Sequence, residues 1–307
     1  MKKWNLLISV AVFGSALHPS LLCGKTTLLR QHVSTYPSSQ GQDSEITFAS
    51  FDWDDNVISF GEYAPVYIYE KGNPKNVEKL STKILPLVRP SIGSSGRYAN
   101  YEFQNDLNRA DYSYLWMQSN DHAAPEKRGD NRFLSSIKRT LGLSLAESCT
   151  KKGVLHPNNQ GPMWSSFVAR LSKVPTAHRT AIITAREHSP RELEEGLQCL
   201  KDQGLITHLP KREHLVCVNY GGFLQERKIV QCPTSTRSSK ALVMKEQLDV
   251  LQEVAAKQHT HAKWTFSDDD KRNVDTAEQQ LQAALAEKPH RWKNLSIYLW
   301  HTGDAAL

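Results

Sequence analysis

Apolar residues follow two rhythms along this chain. ITFASF (46–51), RTAIIT (179–184), HLVCVNY (214–220), AKWTFS (262–267) and LSIYLWHTG (295–303) are short, β-rich runs with apolar centres. Runs of this length with polar flanks are the pattern of buried strands. Between them the apolar spacing changes to three and four. It does so at Leu193, Leu197 and Leu200, at Leu242, Leu248, Leu251 and Val254, and along VDTAEQQLQAALAEK. These spacings predict helices, the first one capped by Ser189 with Pro190 in its first turn. Trp164, Phe167, Val168 and Leu171 predict a further helix. Strands alternating with helices predict an α/β fold, a Rossmann-like parallel sheet with helices on both faces.

Two stretches break the alternation. Val57–Ser59 and Val66–Tyr69 read as a hairpin around a Gly/Glu/Ala/Pro turn. Residues 72–160 are rich in Asn, Gly, Ser, Pro and Tyr, with charged helical pieces expected around 75–86 and 131–147. The expected organisation is therefore an α/β core of residues 24–71 and 161–307, with 72–160 inserted; 24–44 form a polar leader into the core.

The first 23 residues read as a signal peptide. Lys2 and Lys3 precede the apolar run Leu6–Phe13, and small residues follow at Gly14, Ser15 and Ala16. Cleavage is expected after Ala16 or near Cys23–Gly24. His18 and Pro19 interrupt the run, and it is short for a membrane span. CGKTT is reminiscent of a phosphate-binding loop, but Pro19 stands where that pattern needs glycine. Export is expected, periplasmic or secreted if the leader is cleaved and otherwise cytoplasmic or membrane-anchored. No stable membrane span is expected after processing.

Charge and cysteines narrow the picture. A formal charge of +6 favours anionic ligands. No dense Lys/Arg block marks a nucleic-acid tail, so nucleic acid ranks below a small anion as partner. Cys149, Cys199, Cys217 and Cys232 would remain after processing, with no CxxC spacing to suggest zinc. They allow three two-disulfide pairings, or buried thiols.

The candidate chemistry lies at strand ends. Asp52, Asp54 and Asp55 end one core strand, and Asp268, Asp269 and Asp270 end another. In a parallel sheet both ends reach the same edge, where ligands bind. Carboxylates gathered there repel one another unless a divalent cation joins them, and oxygen ligands favour Mg²⁺.

In this respect the chain resembles the haloacid dehalogenase-like (HAD) hydrolase superfamily, its phosphatase branch in particular. FDWDDNV matches the first motif with Asp52 and Asp54, although Asn56 replaces the commoner Thr. IITARE supplies Thr184 for the second, SSKALV supplies Lys240 for the third with Lys245 as runner-up, and WTFSDDDKRN supplies Asp268 and Asp269 for the fourth. The match runs over roughly 46–303, and residues 72–160 occupy the slot of a substrate-selecting cap.

The resemblance implies a Mg²⁺-dependent phosphomonoesterase with an aspartyl-phosphate intermediate. Asp52 would be the nucleophile and Asp54 the general acid and base. The Asp52 and Asp268 carboxylates, the Asp54 carbonyl and Asp269 would hold the metal. Thr184 and Lys240 would bind the phosphoryl group; Arg186 would touch the substrate or pair with Glu187 or Glu195. Asp55 and Asp270 are read as solvated or supporting acids. Tyr98, Tyr101, Phe103, Tyr112, Tyr114 and Trp116 would form the cap's own small core or stack a base. The partner expected is thus a small phosphorylated compound, with nucleotides among the candidates. Two alternatives stay open: a non-catalytic anion- or partner-binding protein on the same fold, and a nucleic-acid 3′-end phosphatase.

Overall fold

The computed structural model describes residues 27–32, 46–59, 66–81, 84–104, 113, 131–144, 146–229, 233 and 235–303. The signal peptide, Cys23, Cys232, Tyr112, Tyr114 and Trp116 lie outside the described residues.

Six strands form one sheet. These are β1 (Thr27–His32), β2 (Ile46–Phe51), β6 (Thr180–Thr184), β7 (Leu215–Cys217), β8 (Ala262–Asp268) and β9 (Leu295–His301), in the order β1-β9-β8-β2-β6-β7. Every neighbouring pair is parallel. Parallel strands need crossovers, and among the described residues helices lie before each strand from β6 on: α3 (Trp164–Arg170) and α4 (Val174–Ala177) precede β6, α5 (Pro190–Asp202) precedes β7, α6 (Phe223–Glu226) and α7 (Thr236–Lys257) precede β8, and α8 (Lys271–Glu287) precedes β9. Successive strand residues point to opposite faces. Phe51, Ile182, Leu215 and Cys217 pack on one side with residues of α3 and α5. Ile183, Val216, Phe266 and Ile297 pack on the other with residues of α7 and α8. The expected α/β sheet with helices on both faces is the observed fold. Ser189 caps α5 as expected, and Glu192 completes a capping box with it.

Residues 27–32 overturn the polar leader: β1 pairs along its full length with β9. It sits at the sheet edge, where a strand needs fewer apolar residues than a central one, so its sequence carries little strand signal.

Residues 57–104 also differ from expectation. Ile58 bridges to Asp54 and Gln160, not to residues 66–69. β3 (Val66–Glu70) instead pairs antiparallel with β4 (Asn73–Leu80) and β5 (Tyr101–Glu102). The segment expected to be helical around 75–86 is thus mainly a strand, followed by the single-turn α1 (Leu85–Val88). The two-residue connection Lys71–Gly72, with Gly72 at φ +77°, lets β4 fold back on β3, and cross-strand pairing overrides the helical spacing of its polar residues. Val66, Ile68, Leu80 and Leu85, with Tyr98, Tyr101 and Phe103, make a small separate core. These three aromatics therefore serve packing; Arg97 lies over Tyr98 and Arg89 over Phe103.

Residues 131–160 behave otherwise. Phe133 and Ile137 of α2 (Arg132–Thr140), together with Leu141, Leu143 and Leu155, belong to the same apolar cluster as Phe51, Trp53 and Leu197. Gly196 of α5 makes room for the Phe133 ring, since a Cβ there would overlap it. The inserted region therefore divides: its first half joins β3, which lies just before it and is expected from the sequence in the core, in a separate sheet, and its second half packs on the main core.

A disulfide joins Cys149 to Cys199 of α5. Gln203 braces the same loop, donating to the Lys151 carbonyl at 2.6 Å and accepting from the Gly153 amide at 2.7 Å. Cys217 is a free buried thiol, and burial pushes its pKa up. Cys149→Ser is expected to lower the unfolding free energy by about 2–4 kcal/mol, read from the urea midpoint, because the bond closes a long loop. No helix among the described residues is long and apolar enough to cross a membrane.

Candidate active site

β2 and β8 are neighbours in register Phe51–Ser267, so the next residues, Asp52 and Asp268, emerge side by side at the carboxyl edge. The Asp52 amide donates to the Ser267 carbonyl at 2.8 Å, the last rung before the strands end. β6 flanks β2 on the other side and ends at Thr184. The start of α7, capped by Ser235, aims Lys240 at the same point.

Lys240 bridges the two strand ends. Its Nζ lies 2.9 Å from Asp52 Oδ1 and 2.8 Å from Asp268 Oδ2. All three residues are buried. Of the two candidate lysines, Lys240 is the one between the carboxylates. Asp268 also accepts from the Asp270 amide at 2.9 Å and from Asn273 Nδ2 at 2.9 and 3.0 Å. Asp269 completes the group: one carboxylate oxygen each from Asp52, Asp268 and Asp269 lie within 4.8 Å of one another.

The electrostatics follow from that packing. Burial opposes the Lys240 charge, but Asp268 and Asp52 outweigh it and hold its pKa up. Burial pushes the Asp52 carboxyl well above the usual range; Lys240 pulls it back, while Asp268 and Asp54 push it further. Asp269 is raised by burial and then by Asp268, Asp52 and Asp55. Three carboxylates face one ammonium. Burial pushes the Asp268 carboxyl up as well, against the pull of Lys240 and the donors that face it.

Asp54 and Arg186 form a second unit. The Arg186 side chain is only 3% exposed and lies over the Phe133 ring. A guanidinium so buried needs a counter-ion, and it takes the Asp54 carboxylate through Nη2 at 2.6 Å and Nε at 3.1 Å. Thr184 Oγ1 donates to the same carboxylate at 3.3 Å. The pairing of Arg186 with Glu187 or Glu195 is thus replaced by one with Asp54; Glu195 binds Arg191. Asp54's carboxylate is turned to Arg186 and is not among the three clustered oxygens. Asp270 caps α8 and pairs with Arg272, and Asp55 accepts from Ser59 Oγ at 3.3 Å.

Sequence reasoning misses the roles of three residues. Asn273, five residues after Asp268, lies in the first turn of α8, and an amide placed there behind an acid cluster is a readable signal. Asn56 stands out in the sequence as a departure from the motif but without a role. Thr302 carries no local signal, since its partner Asn56 is 246 residues away.

Fold and site together define an α/β protein whose parallel sheet gathers a buried carboxylate cluster and a lysine at its carboxyl edge. Neither a family model, nor a curated protein, nor a solved structure matches this chain.

Proposed function

We propose that this protein is a Mg²⁺-dependent phosphohydrolase of the HAD-like type, cleaving phosphate monoesters through an aspartyl-phosphate on Asp52. The observation that carries the reading is the convergence of Asp52, Asp268 and Asp269 within 4.8 Å, with Lys240 between the first two. The donor set suits the metal. When ionised, three carboxylates against the Lys240 ammonium would leave an excess of two negative charges at a largely buried site, which a divalent cation cancels, and all-oxygen ligands favour Mg²⁺. Asp52, Asp268 and Asp269 would hold it, with the Asp54 main chain beside them. When bound, Mg²⁺ offsets the negative charge that keeps a carboxylate from approaching a phosphate.

The chain's own residues would then act in order. An Asp52 oxygen would form a bond to phosphorus as the ester oxygen leaves, and that oxygen would take a proton from Asp54 in its protonated form, which requires the Asp54–Arg186 ion pair to open. Water next attacks the aspartyl-phosphate, gives its proton to Asp54, and releases phosphate and the Asp52 carboxylate. Lys240 and the Thr184 hydroxyl balance charge on the phosphoryl oxygens. Arg186 orients Asp54, and a phosphate contact by Arg186 competes with that pair. The substrate proposed is a small phosphorylated compound; the +6 charge favours an anion of this kind. Export fits the Cys149–Cys199 disulfide, since such bonds persist in oxidising compartments.

Hydrolysis of a generic aryl phosphate by the purified protein, dependent on Mg²⁺, tests the activity; absence of turnover across a phosphometabolite panel rejects it. Mg²⁺ is also expected to stabilise the fold. At a hundred times its dissociation constant a ligand adds about 2.7 kcal/mol, roughly 4 °C in Tm for a protein of this size. Calorimetric scans with and without Mg²⁺ measure this, and Asp268→Asn should abolish the shift.

A further inference from the structure

We propose that Asn56 is a positioning residue that fixes the spacing of Asp52 and Asp268, and so tunes the site for a small octahedral cation. The inference rests on the cation reading above. The Asn56 side chain is fully buried. Its Nδ2 donates to the Asp52 carbonyl at 2.9 Å, to the Ser267 carbonyl at 3.1 Å and to Ser267 Oγ at 3.0 Å. Its Oδ1 accepts from Thr302 Oγ1 at 2.7 Å, and the Thr302 amide donates to the Asp268 carbonyl at 3.1 Å. The amide orientation is fixed by its partners, because main-chain carbonyls accept only.

These bonds lie where the β2–β8 ladder stops. Beyond the Asp52–Ser267 rung the sheet no longer sets the distance between the two chains. One planar amide ties the Asp52 carbonyl to the residue before Asp268, and through Thr302 to Asp268 itself. Threonine, the commoner residue at this place in the motif, has one hydroxyl and cannot span the same set. Asn56 is itself held from behind. Its carbonyl accepts from the Met163 amide at 2.8 Å, and a Cβ on Gly161 would overlap that carbonyl, so the returning segment 161–163 approaches this closely through glycine.

Cation choice should feel this clamp. Mg²⁺ needs near-ideal octahedral oxygens at about 2.0–2.1 Å, whereas Ca²⁺ accepts longer and looser arrangements at about 2.3–2.6 Å. Loosening the strand ends therefore weakens Mg²⁺ more than Ca²⁺.

Titration calorimetry of the full chain with Mg²⁺ and with Ca²⁺ tests this in wild type, Asn56→Ala and Thr302→Val. Asn56→Ala is expected to weaken Mg²⁺ by about 10–100-fold, the usual effect of losing a group that orients a ligand. Ca²⁺ should weaken much less. Thr302→Val, which keeps the Asn56 amide but removes its hydroxyl partner, should move the Mg²⁺/Ca²⁺ ratio the same way by a smaller factor, and it carries the test if Asn56→Ala does not fold. Equal weakening of both cations in the folded variants, or none, overturns the role of Asn56 alone. Failure of the wild type to bind either cation overturns the cation reading and this inference with it.

Discussion

Asp52→Asn is expected to reduce turnover of an aryl phosphate by at least about 10³-fold while leaving the fold intact. The amide is nearly isosteric, so packing beside Ser267 and Lys240 is kept. It cannot attack phosphorus, and the loss of an attacking group is seldom recovered by the rest of a site. The stability change separates this from simple damage. Asp52 is held above its ordinary pKa by burial and by Asp268 and Asp54. A carboxyl raised in the folded state keeps a proton that the unfolded chain releases, so wild-type stability should fall as pH rises above the ordinary carboxylate range, up to the folded pKa. The substituted amide has no such proton to lose. Denaturant midpoints of metal-free protein should therefore decline less steeply with pH in the variant, with Tm at pH about 8 no lower than wild type. Retained turnover in Asp52→Asn would reject the nucleophile.

Lys240→Met is expected to give the largest loss of stability. Methionine fills similar volume but leaves Asp52 and Asp268 buried without the ammonium that lies 2.9 and 2.8 Å from them. Breaking one side of a buried ion pair costs about 3–5 kcal/mol, a large share of a domain's total stability. Urea unfolding of metal-free protein reads this directly. The double variant Lys240→Met/Asp268→Asn should lose less than the sum of the two single losses, because the second change removes the charge that the first left bare. An additive result would mean that the two residues do not sense each other.

What is legible in the sequence follows from local physics. Central strands such as β2, β6 and β8 are buried on both faces, so their apolar runs stand out, and their ends name Asp52, Thr184 and Asp268 directly. The sequence marks Lys240 and Lys245 near the start of one helix, and only the structure sets Lys240 between the two carboxylates. Two edge strands escape, whereas apolar β7 at the other edge does not: β1 and β4 owe their conformation to partners distant in sequence or across a turn, not to their own composition. The division of residues 72–160 turns on whether Phe133 and Ile137 pack on α5 or on one another, a tertiary choice invisible to periodicity. The Cys149–Cys199 pairing and the Asp54–Arg186 contact also join segments that spacing cannot connect. Asn56 shows the reverse situation. Its place in the motif marks it as unusual, but its contacts are with Ser267 and Thr302, 211 and 246 residues away.

The most direct test of a shared cation at the two strand ends is a diffraction experiment on crystals soaked in Mn²⁺ as an anomalous stand-in for Mg²⁺. A single strong peak contacting carboxylate oxygens of Asp52, Asp268 and Asp269 is predicted, and it should vanish in Asp268→Asn. Clean anomalous maps with no peak there, and Lys240 still bridging Asp52 and Asp268, would contradict the account.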